Sequence, residues 1–70
     1  MTFGDKVREQ RKLAGLSQRQ LAAKLAEILG RNYEQCSVSN VERGVLANPQ
    51  LTTMQAYAQA IGCTVADLLP

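Results

Sequence analysis

The chain has no histidine, no tryptophan, two prolines and two cysteines. No apolar run approaches the roughly 18 residues that a membrane-crossing helix needs. Each shortage closes a class of function. Cys36 and Cys63 stand far apart, form no CxxC pair and have no histidine to complete a zinc site, so neither a metal nor a cofactor is expected. Paired carboxylates and a glycine-rich phosphate loop are absent, and no base stands beside Cys36 to make it a nucleophile, so an enzyme is not expected. Two free thiols suit a reducing compartment. Asp5 and Arg8 interrupt any charged-then-apolar leader, and the expected location is cytoplasmic. Hydrophobic residues make up 46% of the chain but aromatics only 4%, which predicts an aliphatic core of Leu, Ile, Val, Ala and Met. Glycine and proline are too sparse for a disordered chain. Residues 1–70 are expected to form one domain with a modest core, since a chain this short buries only about 60% of its unfolded surface.

What is present is organised. All eight Lys and Arg residues fall within residues 1–43, together with five of the six acids, a local balance of +3. Residues 44–70 carry only Asp67, a balance of −1. One end can therefore face phosphates while the other is nearly uncharged.

Helical punctuation recurs along the chain. Thr2 with Asp5, Ser17 with Gln20, and Thr64 with Asp67 each pair a capping side chain with a partner three residues on. Phe3, Val7 and Ala14 mark the inner side of a first helix, which Gly15 closes. Leu21, Ala22, Leu25, Ile28 and Leu29 recur at helical spacing in a second, with Gly30 as its stop. Val38 and Val41 share the inward stripe of a third, short helix ended by Gly44, which leaves Gln35, Cys36, Ser39 and Asn40 facing outward. Residues 45–49 read as a loop, because Asn48-Pro49 disfavours helix at Asn48. Leu51, Met54, Ala58 and Ile61 form the stripe of a fourth helix, and Val65, Leu68 and Leu69 belong to a last short one. No strand-like alternation of useful length appears. The expected fold is all-α, and two short helices with a polar outer face on the second suit a helix-turn-helix whose second helix enters the DNA major groove.

Arg11, Gly15-Leu16-Ser17-Gln18, Leu21-Ala22, then Ser39, Val41, Glu42 and Gly44, followed by Asn48-Pro49 and Leu51…Ala58…Ile61-Gly62, resemble the phage repressor and Cro-like (XRE-type) helix-turn-helix family over nearly the whole chain. The resemblance implies a five-helix lambda-repressor-like domain and a DNA-binding regulator of transcription, bacterial or phage, that is not an enzyme. One departure concerns length. The unit is about six residues longer than comparable members between Gln18 and Gln35, where a turn of about 3–4 residues is usual. Either the second helix is long and the third begins near Gln35, or Asn32 caps a third helix with an added turn, bringing Tyr33 and Glu34 close to DNA. The other departure is Val45-Leu46, where relatives often carry a base; two apolar residues there can widen a surface for self-association.

The resemblance also distributes roles. Gln18 is implied to meet a phosphate at the start of the second helix and to brace the third, with Ser37 and Arg43 at phosphate-facing positions and Arg19 beside them. Glu42 is implied to pair with Arg11, a brace rather than a reader of DNA. Gln35 suits adenine, since an amide donates and accepts together in the major groove. Cys36 offers an apolar touch to a thymine methyl, Ser39 lines the same face, and Asn40 reads adenine or approaches the backbone. One such helix covers only a few base pairs, so a homodimer on a palindromic operator is expected, with Val65, Leu68 and Leu69 as its contact. The competing expectation is an antitoxin-like or complex-subunit module on the same fold, whose main partner is a protein.

Overall fold

The computed structural model describes residues 2–44 and 50–69, which form five α-helices in the order α1 (Phe3–Leu13), α2 (Gln18–Leu29), α3 (Gln35–Glu42), α4 (Leu51–Ile61) and α5 (Val65–Leu68). No strand occurs among the described residues. The expected loop over residues 45–49, including Val45 and Leu46, lies outside them.

Local chemistry sets the helix starts. Thr2, Ser17 and Thr64 each accept from the backbone amide three residues on, and Asp5, Gln20 and Asp67 each accept from the backbone amide of their cap. Those hydrogen bonds hold the Asp5 and Asp67 carboxyls below the usual carboxylate range. Stops are set by the left-handed backbone that Gly30 (φ 67°) and Gly62 (φ 89°) adopt at the C-caps of α2 and α4.

α1, α2, α3 and α4 enclose a core whose inner residues include Val7, Leu21, Leu25, Val38, Val41 and Ile61, and α5 closes it with the fully buried Leu68. The core is not purely aliphatic as composition suggests. Its largest fully buried side chain is Tyr57, which meets the ring of Phe3 edge-on at 5.7 Å and that of Tyr33 at 6.2 Å. The phenol stays buried because its hydroxyl has a partner, the Tyr33 hydroxyl, at 2.6 Å. Two inward assignments fail for the same reason, position at a helix end. Ala14 is the C-cap of α1, where the chain already turns away, and is exposed. Leu51, the first residue of α4, is 61% exposed.

Helix α1 crosses the end of α3 at backbone contact. A β-carbon on Gly4 would overlap the carbonyl oxygen of Val41 and crowd that of Glu42. In an unhindered helix interior, replacing glycine by alanine stabilises by roughly 0.5–1 kcal/mol. At Gly4 the sign is expected to reverse: Gly4→Ala should cost about 1–3 kcal/mol in denaturant unfolding as α1 is pushed off α3. A stabilised variant would contradict this packing.

Tyr57 makes a pH prediction. Burial first, then the hydrogen bond its hydroxyl shares with that of Tyr33, pushes its phenol far above the ordinary tyrosine range. The unfolded chain therefore loses this proton near pH 10, as a free tyrosine does, whereas the folded chain retains it. The contribution is fully present below that pH and is lost above it, at up to about 1.4 kcal/mol per pH unit. Unfolding free energies measured across the alkaline range should fall with this slope, and Tyr57→Phe should flatten it.

Candidate DNA-binding face

Helix α3 turns Val38, Val41 and Glu42 inward. At helical spacing, Gln35, Cys36, Asn40 and Arg43 then lie exposed on its outer side, with Ser39 and Ser37 half-buried at its margins. The helix begins at Gln35, with Glu34 in extended backbone before it, so the first of the two expected arrangements is the observed one. The residues singled out for base contact, Gln35, Cys36, Ser39 and Asn40, occupy one short helix and share a surface with Arg43. Arg43 Nη2 donates to Asn40 Oδ1, which orients that amide with its N–H donors free. Cys36 donates weakly to the Glu34 carboxylate at 3.4 Å, so a negative group stands at the edge of the face.

One buried carboxylate holds this helix. Glu42 is the buried charged residue of the interior, with its side chain 1% exposed. Arg11 Nε donates to its Oε2 at 2.7 Å and Arg11 Nη2 to its Oε1 at 3.2 Å, a bidentate pair between α1 and α3. Arg11 Nη1 also donates to the Leu16 carbonyl at 2.8 Å, tying in the turn before α2. Gln18 Nε2, from the first turn of α2, donates to Glu42 Oε1 at 3.2 Å. An amide nitrogen carries two hydrogens, so Gln18 keeps one for another acceptor. Arg8 Nε lies 3.6 Å from Glu42 Oε1, a contact that sequence reasoning misses. No buried side-chain polar atom among the described residues lacks a partner.

The remaining candidates divide. Arg19 is exposed beside Gln18 at the N-terminal end of α2. Of the three residues assigned to a dimer contact, Leu68 is wholly buried on the inner side of α5 and serves the core of this chain, which corrects that assignment. Leu69 is 46% exposed and Val65 half-buried, so both reach the surface. Neither cysteine is in a disulfide: Cys36 is exposed, and Cys63 is half-buried, its thiol pushed up by burial and by the nearby Asp67 charge. Sequence reasoning also missed Gly4 and Tyr57, and Tyr33, which the second arrangement would bring close to DNA, instead packs against Tyr57.

A family model described as helix-turn-helix matches residues 7–68. Among solved structures, the chain is similar to the restriction-modification controller protein C.AhdI from Aeromonas hydrophila, with 33% identity, a TM-score of 0.76, and coverage of 96% of this chain and 87% of that one. No curated protein matches the chain.

The Glu42 cluster is directly testable. Arg11→Met strands a buried carboxylate and Glu42→Leu strands a guanidinium, and each is expected to cost about 3–5 kcal/mol in reversible unfolding. The double variant should cost well under the sum, because no charge is left unpaired. Strict additivity would show that the pair does not hold the helices together.

Proposed function

The chain belongs to the XRE-type helix-turn-helix family, whose members bind double-stranded DNA as regulators of transcription and are not enzymes, and on that premise we propose how it reads its site. It binds a specific duplex sequence as a homodimer on a palindromic operator, each copy laying α3 in the major groove. The observation that carries this reading is the division of α3: an inner side locked by Val38, Val41 and Glu42, and an outer side of amides, small polar groups and one arginine. Gln35 and Asn40 offer hydrogen bonds to base edges, and Cys36 and Ser39 fit between them without bulk. Gln18, Arg19, Ser37 and Arg43 position the helix by phosphate contacts, with Gln18 using the amide hydrogen that Glu42 leaves free. Val65 and Leu69 contribute to the two-fold contact. No helix among the described residues is long and apolar enough to cross a membrane. A DNA partner suits a cytoplasmic location. The likeness to a restriction-modification controller makes the genes of a restriction-modification system candidate targets.

A second reading has its own observation. Net charge is only +2, and Leu51 and Leu69 leave apolar surface on α4 and beside α5. An antitoxin-like or complex-subunit role, with a protein partner seated there, is compatible with DNA binding by α3. Co-purification of a stoichiometric partner that is lost on Leu69→Lys would favour it.

Selection from a random duplex library tests the main reading. The enriched motif is expected to contain two inverted half-sites about 34–36 Å apart. Gln35→Ala should weaken binding to it by about 1–3 kcal/mol while leaving random duplex nearly untouched. Arg43→Ala should weaken both and lower the salt slope by about one, with the selected duplex losing more because Asn40 loses the bond that orients its amide. No enriched motif, with affinity flat against salt, would contradict the reading.

A further inference from the structure

Helix α3 is anchored unequally by its own chemistry. Its C-terminal end carries Glu42 and the buried Val41, whereas its N-terminal end, where Gln35 and Cys36 sit, has no side-chain cap: Glu34 makes no capping hydrogen bond. Helices α1, α2 and α5 all have reciprocal caps at this point. An eight-residue helix with an uncapped first turn has little of its own to resist fraying or tilting there. The preceding residues 30–34 are non-helical.

What fixes this end is Tyr33, one residue before the cap. Its ring stands edge-on to Tyr57 at 79°, and the two hydroxyls are 2.6 Å apart. Tyr57 is fully buried and is held in turn by the ring of Phe3. The first turn of α3 is therefore connected through two aromatic contacts to α4 and α1. The hydroxyl bond gives the arrangement direction, since any tilt that withdraws Tyr33 strands the Tyr57 hydroxyl in the interior.

We propose that Tyr33 is a positioning residue for DNA reading, its hydroxyl bond to Tyr57 setting the angle at which Gln35 and Cys36 meet the bases. This rests on α3 being the reading helix. Tyr33 does not itself contact DNA; it acts through the orientation of the residues that follow it. Losing the bond costs specific contacts, which depend on angle, and spares phosphate attraction, which does not.

The test uses the full chain and the duplex that the wild type enriches from a random library, with a scrambled duplex as the non-specific probe, at a temperature where circular dichroism shows every variant folded. Tyr33→Phe and Tyr57→Phe each remove the same bond and keep both rings. Each is expected to lower affinity for the enriched duplex about fivefold, by the worth of one hydrogen bond, with binding to the scrambled duplex unchanged. The double variant should lose no more than either single one. Loss confined to Tyr33→Phe would mean that Tyr33 touches DNA directly and overturns the proposal. A lower melting temperature with an unchanged ratio of specific to non-specific binding would mean a purely structural bond, and also overturns it. A wild type that enriches no sequence would defeat the assignment of α3 as reader, and this proposal with it; the wild-type arm alone detects that failure.

Discussion

The carboxylate of Glu42 is the point on which this small domain turns. It lies out of solvent, accepts two hydrogen bonds from Arg11 of α1 and one from Gln18 of α2, and belongs to α3. Three helices thus meet at one buried charge. A charge in that position is tolerable only while its partners remain, so it penalises any arrangement in which α3 leaves α1 or the start of α2. A hydrophobic contact between the same helices is non-directional and would allow them to slide. For the proposed reading of bases by the outer face of α3, direction matters more than net stabilisation.

The rest of the interior follows from that junction. Gly4 lets the backbone of α1 approach the final carbonyls of α3, and Arg11, two turns further along α1, reaches Glu42 from there. Beyond them, Phe3, Tyr57 and Tyr33 link α1, α4 and the segment that leads into α3. Helix α3 is consequently fixed near its end by an ion pair and near its beginning by two hydroxyls. Between them lies the apolar stripe of Val38 and Val41.

Features governed by near neighbours were legible from the sequence. The three reciprocal caps and the helix-ending glycines depend on residues within a turn of each other, and all appear where Thr2, Ser17, Thr64, Gly30 and Gly62 place them. The stripe of Val38 and Val41 correctly gives the outward direction of Gln35 and Asn40. Contacts across the chain were not legible in the same way. Arg11 and Glu42 are 31 positions apart and Tyr33 and Tyr57 are 24 apart. The first pair was reached only through family resemblance. The second was missed because a scarcity of aromatics was read as an aliphatic core, although Tyr57 falls at helical spacing between Met54 and Ile61. Leu68 shows the opposite error: an apolar residue near a helix end reads equally well as core or as interface, and only its complete burial distinguishes them. Glycine has no side chain to advertise a contact, so nothing near Gly4 announced the approach of α3.

A helix held from behind by Glu42 is proposed to present its outer face to DNA. Nuclear magnetic resonance titration of the labelled chain with its selected duplex tests this most directly, because every backbone amide reports separately. The expected result is that the largest shift changes, and intermolecular contacts to bases, fall on Gln35, Cys36, Ser39 and Asn40. Smaller changes are expected at Gln18, Arg19 and Arg43, while Val38 and Val41 stay free of contacts to DNA. Base contacts from α4 or α5, with the outer face of α3 unchanged, would contradict it.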